Sequence, residues 1–184
     1  MTTEKADVIY RAREITSKQV SLDIESNPAQ ELGKAPVDKV DNNRFSPIGI
    51  SYGYFSFDKD TVLVEIRARK DTEKAIGKFK LDHSKKLIDL RKKSIKKYSN
   101  PFLDIFDFRF YCSLEFIELF TTHISKKVSA KDSLLEYVPT QIISEYIWSL
   151  EYDGFIFDSS QKVGGENIII FGENPKFIGY TLQR

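Results

Sequence analysis

Apolar and polar residues alternate over Val8–Arg13 (VIYRAR). Val8, Tyr10 and Ala12 fall on one side of an extended chain and Ile9, Arg11 and Arg13 on the other, which predicts a first strand. Residues 21–43 lose that pattern, and Pro28, Gly33, Pro36 and scattered acids predict an irregular loop with one short helical turn near Ala29–Leu32. A turn is expected over Phe45–Gly49, since Pro47 presets its own φ and Gly49 tolerates a positive one. Ile50–Phe55 (ISYGYF) then reads as a buried strand. Asp58 is a good N-cap for a helix from Lys59 to about Ala68, on which Val62 and Ile66 share a face with Glu65 beside them.

Further along, Lys74–Leu81 and Leu87–Leu90 read as strands, the first with one exposed side. The charge run RKKSIKK, Arg91–Lys97, reads as a solvated face or loop, with phosphate binding as the minority alternative. Pro101 opens a helical pattern in which Phe110, Leu114, Ile117, Phe120 and Ile124 form one face. A second helix starts at Pro139, with Ile142, Ile143, Tyr146, Ile147 and Leu150 as its expected core face and Trp148 as partly buried packing. Gly154–Phe157, Asn167–Phe171 and Phe177–Leu182 are the last strands, and Asp158–Glu166 the glycine-containing loop between the first two. Strands at both ends, long helices late in the middle and no regular βαβ alternation predict an α+β fold. No repeat or break in composition marks a boundary, so residues 1–184 are expected to form a single domain.

Composition narrows the function classes. A hydrophobic fraction of 41% and a charged fraction of 30% suit a soluble globular protein, with 14 phenylalanines and nine tyrosines promising an aromatic core. A net charge of +1 gives no general electrostatic drive toward nucleic acid or acidic membranes. One cysteine, Cys112, and two histidines, His83 and His123, argue against a Cys/His zinc site and suit a reducing compartment. The charged segment MTTEKADVIYR has no signal-peptide core, and Phe102–Ile124 is broken by charges, so neither a leader nor a membrane span is expected and a cytoplasmic protein is the simplest reading. Neither a dinucleotide-binding Gly-x-Gly-x-x-Gly nor a Gly-Lys-Ser/Thr phosphate loop is present.

The candidate chemistry is modest on residues alone. Arg11 and Arg13 share a strand face, Arg44 precedes a rigid turn, and Glu65 sits amid Val62, Val64 and Ile66, where a carboxylate needs a partner or a task. Each has a plain structural alternative: a salt-bridged Glu65, an ion-paired Arg44, core roles for Tyr52 and Tyr54, and Ser159 as a turn cap. By composition and spacing alone the expectation stops at a soluble α+β domain, with a pocket as an option.

Spacing adds a resemblance. Arg44, Pro47 and Gly49, then Tyr54 ten residues after the arginine and Glu65 eleven further on, are similar to the pattern of the RES-domain family, named for its arginine, glutamate and serine. The family's serine lies between a Gly-apolar and a Gly-Asn-aliphatic strand; in GFIFDSSQKVGGENIIIF it falls at Ser159, with Ser160 beside it as the alternative. Arg11 in IYRAR matches the arginine of the opening strand, and YVPTQIISEYI, Tyr137–Ile147, resembles longer, HEPN-associated members. Phe45 and Ser46 stand where many members have Trp and Asn, and the stretch from Ser84 to Leu134 carries few family markers.

The resemblance implies an ADP-ribosyltransferase-like fold and a bacterial toxin that consumes NAD as substrate, as a glycohydrolase or phosphorylase, and is neutralised by an Xre-type antitoxin. It implies that Glu65 stabilises an oxocarbenium-like ribose, that Arg11 and Arg44 bind the pyrophosphate, and that Tyr54 stacks on nicotinamide or ribose. Ser159 would hydrogen-bond the nicotinamide–ribose end or orient Glu65. No metal or cofactor is called for. Transfer of ADP-ribose to a protein, and a non-catalytic binding module, are the alternatives. Oligomeric state is not legible.

Overall fold

A computed structural model describes residues 8–67, 69, 71–97, 108–124 and 136–183. Among them seven strands form one mixed sheet and six helices pack around it, an α+β fold. In chain order these are β1 (Val8–Glu14), α1 (Lys18–Ser26), α2 (Pro28–Glu31), β2 (Gly53–Ser56), α3 (Lys59–Glu65), β3 (Lys74–Lys80), β4 (Leu87–Asp89) and α4 (Lys92–Ile95). Then come α5 (Phe108–Ile124), α6 (Val138–Ser149), β5 (Gly154–Asp158), β6 (Glu166–Ile170) and β7 (Lys176–Gln183). The sheet order is β4-β5-β6-β2-β1-β3-β7, antiparallel except for β4 beside β5. Among the described residues no helix is long and apolar enough to cross a membrane.

Period-two alternation divides the core between the two faces of the sheet. On β6, Ile168 and Ile170 face a cluster completed by Ile9, Phe55 and Phe79, with Ile24 of α1 and Leu32 beyond α2. Ile169 faces the opposite cluster, with Phe155 and Phe157 of β5, Phe120 and Ile124 of α5 and Ile147 of α6. Phe45 belongs to this second cluster, its ring edge-on to Phe155 at 5.2 Å and Phe157 at 4.9 Å, which anchors the loop carrying Arg44.

Most predicted elements are found within a residue or two, and four expectations need correction. The loop expected over 21–43 contains most of α1, which Ser17 caps by accepting from the Val20 amide at 3.3 Å and which buries Ile24; α2 is the expected short turn. The strand expected from Ile50 begins at Gly53, because β6 ends where Gly53 pairs with Ile170 and offers Ile50–Tyr52 no further partner. The side of Lys74–Lys80 expected to be exposed is only half open: Lys74 and Lys78 are half-buried and Lys80 is exposed, but Ile76 on the same face is buried against Val62 of α3 and Ala12. The α6 face is also different. Ile147 is buried, whereas Ile142 and Tyr146 are each 62% exposed, Leu150 and Trp148 are exposed, and Thr140, Gln141 and Ser144 are buried instead. The predicted helix start at Pro101, the helix end at Ala68 and the side chain of Phe110 lie outside the described residues.

The run Arg91–Lys97 is solvated at Lys92, Lys93, Lys96 and Lys97 but not at Arg91. The Arg91 guanidinium bridges Asp89 of β4 (2.8 and 2.5 Å) and Glu166 of β6 (2.5 Å). Burial pushes the Asp89 carboxyl up, but hydrogen bonds from Arg91 and Ser94 outweigh it and hold it below its ordinary value. Asp58 is likewise lowered: burial pushes it up, and hydrogen bonds from Lys162 and Thr61 more than offset that. A depressed folded value means the stabilisation is complete above the unfolded value of about 3.9 and is lost as pH falls through the folded one. Thermal melts are therefore expected to be flat from about pH 7 to pH 5 and to fall steeply below about pH 4, with Asp89→Asn reducing that fall. An acid limb identical in Asp89→Asn would exclude Asp89 as a contributor.

Candidate active site

The helix α3 is built to project one carboxylate. Asp58 caps it, accepting from the Thr61 amide (2.8 Å) and the Thr61 hydroxyl (2.6 Å). Thr61 and Val62 are buried, and one turn later Glu65 leaves the same side of the helix. It opens on a cleft of about 520 Å³ that Arg11, Arg44, Tyr54, Glu65 and Ser160 all line, a volume within the range of small-molecule sites. Ser159 is not among the lining residues. Its hydroxyl donates to Glu65 Oε1 at 2.6 Å from behind, so it touches the carboxylate rather than the cleft.

Asn167 was not singled out by the sequence reading, although it carries the second contact to Glu65. Its Nδ2 donates to the same Oε1 at 2.7 Å, and its own Oδ1 accepts from Ser56 Oγ at 2.6 Å. The signal was a polar residue beginning a strand of isoleucines, in phase with the cleft-facing Ile169. Both donors converge on Oε1, and among the described residues nothing bonds Oε2.

The loop behind Glu65 is tied to α3. Ser159 Oγ accepts from the amides of Gln161 (3.1 Å) and Lys162 (3.0 Å), and Lys162 Nζ donates to Asp58 at 2.7 Å. Gly165 lets this loop close on Thr61, whose side chain occupies the space a Cβ would need.

Arg44 approaches from the other wall. Its Nη1 donates to the carbonyl of Ile124 at the end of α5, and its guanidinium lies 6.0 Å from the Tyr137 ring. Burial lowers its pKa, while Tyr137 and Glu65 act in the opposite sense, so Glu65 lies within electrostatic reach. The buried polar face of α6 holds the Arg44 segment. Thr140 Oγ1 donates to the Arg44 carbonyl, and Gln141 Nε2 donates to Asn42 Oδ1 (2.8 Å) and the Asn43 carbonyl (2.7 Å). A loop offers unpaired backbone groups, and buried polar side chains satisfy them. Gln141→Leu keeps the volume and removes both donors. It is expected to cost about 1–3 kcal/mol, read as a lower urea midpoint. An unchanged midpoint would mean that water replaces the amide.

Tyr54 and Arg11 are more constrained than their expected roles. The Tyr54 hydroxyl accepts from the Phe45 amide at 3.3 Å and meets Ser46 Oγ at 3.0 Å, and burial pushes its pKa up to about 12. It therefore braces the Arg44 turn while its ring lines the cleft. Arg11 donates to the carbonyls of Leu32 (3.3 Å) and Gly33 just past α2, and burial, with Arg13 beside it, brings its pKa down to about 10. The Tyr52 hydroxyl is buried in the cleft wall with no hydrogen-bond partner among the described residues. No group of three or more His, Cys, Asp or Glu suited to a metal ion occurs among the described residues.

A search of curated proteins found no match. The family model described as the RES domain matches residues 10–183, from within β1 to the end of β7 and across every residue of the site just described. This chain belongs to the RES domain family.

Proposed function

We propose that this protein is an NAD-degrading enzyme that cleaves the nicotinamide–ribose bond, as an NAD glycohydrolase or phosphorylase, and acts as the toxin of a toxin–antitoxin pair. RES domains are found in toxin–antitoxin systems. The observation that carries the chemistry is Glu65: one oxygen held by two donors, the other unbonded among the described residues, at a cleft that Arg44 also lines.

Nicotinamide in NAD is a cationic leaving group, so it departs with the bond's electron pair as a neutral base and needs no general acid. Positive charge then develops on the ribose, as in glycoside hydrolysis. A carboxylate beside the ribose hydroxyls gains in attraction as that charge grows, which lowers the barrier instead of merely tightening binding. In this reading Glu65 takes that role and Arg44 takes the pyrophosphate, with Arg11 adding positive potential behind it. Tyr54 supplies an aromatic wall and Ser159 orients Glu65. Water or phosphate captures the ribose carbon. An ADP-ribosyltransferase-like fold and an Xre-type antitoxin that keeps the cleft inactive in the host complete the proposal.

The test is product analysis on purified protein with NAD, with and without phosphate. Nicotinamide with free ADP-ribose, or with ADP-ribose-1-phosphate when phosphate is present, supports the proposal. Stoichiometric labelling of a protein would turn it into an ADP-ribosyl transfer, and NAD left intact would overturn it.

A further inference from the structure

We infer that Ser56 and Asn167 form a two-link positioning relay that orients the Glu65 carboxylate, holding Oε1 back and leaving Oε2 to the cleft. The inference deepens the proposed chemistry of the same site, and its catalytic consequence rests on that reading.

The direction of each hydrogen bond carries the argument. Ser159 Oγ already accepts from two backbone amides, so its one proton is free only for Glu65 Oε1. Asn167 has a donor end and an acceptor end, and by itself either could face Glu65. Ser56 Oγ, buried and 2.6 Å from Asn167 Oδ1, donates to it and so completes the amide's bonding in the orientation that turns Nδ2 toward Glu65. Glu65 Oε1 then accepts two hydrogen bonds from two elements, the loop after β5 and the strand β6. With Oε1 occupied, Oε2 is the oxygen left for a ligand.

The register of the sheet makes this possible. Ser56 and Asn167 are directly paired across β2 and β6, so their side chains emerge on the same face toward the cleft. Both residues are buried, at 2% and 6% exposure, where an amide left unpaired would be costly. The charged groups that share the cleft with Glu65 are Arg44 and Arg11 on its walls, Arg67 after its own helix, and Lys39 and Asp41 from the segment before the Arg44 loop. Lys162, on the Ser159 loop, is held by Asp58. Glu166, next to Asn167, is engaged by Arg91 and Lys93.

The test uses Asn167→Asp, which keeps the shape and sets a second carboxylate against Glu65. Two carboxylates at that distance share a proton. The acid limb of kcat for nicotinamide release is expected to move up by at least one pH unit, with KM within about threefold of wild type. A 13C-detected titration of the Glu65 carboxyl, read against the wild type, is expected to move in the same direction. Ser56→Ala, which leaves the buried Asn167 amide oxygen unpaired and loosens the amide, is expected to lower kcat severalfold, measured well below a melting temperature that falls by a few degrees, with Ser56→Thr restoring both. It serves as the test should Asn167→Asp fail to fold. If wild type releases no nicotinamide at any pH, the NAD reading fails, and the carboxyl titration still decides the relay. An Asn167→Asp protein whose Glu65 titration and pH profile match wild type would overturn it, as would Ser56→Ala with full kcat.

Discussion

Glu65→Gln is expected to lower nicotinamide release from NAD by about 10²–10³-fold while leaving the fold intact, because the substitution removes charge and nothing else that the structure uses. The new side-chain carbonyl can accept from Ser159 and Asn167 as Oε1 does now, at 2.6 and 2.7 Å. The amide then replaces Oε2, which has no bond among the described residues to lose. A melting temperature within about 2 °C of wild type is the expected control. Glu65→Ala is the informative contrast: it leaves two donors without an acceptor and should cost stability of about 1–3 kcal/mol besides activity. A Glu65→Gln protein that retained full turnover would sink the carboxylate mechanism, whatever the family.

Gly154→Ala has the largest expected effect on stability. Gly154 opens β5 between β4 and β6 at φ +155°, a region that side-chain-bearing residues rarely enter. An added Cβ would fall inside the carbonyl oxygen of Ile169, with Ile169 C at 3.0 Å and Ile170 Cα at 3.2 Å. All three are backbone atoms of a central strand, so no rotamer change relieves the contact. The expected cost is about 3 kcal/mol or more, a fall in melting temperature of roughly 6–12 °C for a chain of this size. The effect should reach the site, since β5 runs directly into Ser159 and β6 carries Asn167. Activity measured well below the melting point is therefore expected to fall as well. A Gly154→Ala protein with wild-type stability would mean that β5 can shift against β6, contrary to the close approach seen here.

The two substitutions lie on different links of the same chain of cause. Gly154 lets two strands come close enough to pair. That pairing brings Ser159 and Asn167 behind one carboxylate, and the carboxylate is where the chemistry is assigned.

Period-two alternation gave the first strand, apolar and β-branched runs gave those near the C-terminal end, and Asp58 gave the start of α3. Those features depend on neighbours in sequence, so they are legible there. The helix α1 was not, since its loop-like composition hides a nine-residue helix that buries only Ile24. The face of α6 was misread for a deeper reason. Its isoleucines at helical spacing look like a core stripe, but one side of the helix meets the Asn43 and Arg44 carbonyls and the Asn42 side chain, which call for a hydroxyl and an amide.

The site divides in the same way. Arg44, Tyr54, Glu65 and the Ser159–Ser160 pair were named from spacing and family pattern; Arg44, Tyr54, Glu65 and Ser160 line one cleft, and Ser159 touches it only through Glu65. Their division of labour was beyond the sequence. Tyr54 braces a turn, Arg11 is drawn to the carbonyls past α2, and Ser159 stands behind Glu65. Asn167 and Ser56, 111 residues apart, matter through a cross-strand register that no local pattern encodes. By itself the sequence determined the segment classes, the α+β layout and which side chains were chemically equipped, because propensity, capping and periodicity act over a few residues. Only the tertiary structure decided which of them share a carboxylate, because hydrogen-bond direction and strand register arise when distant segments meet.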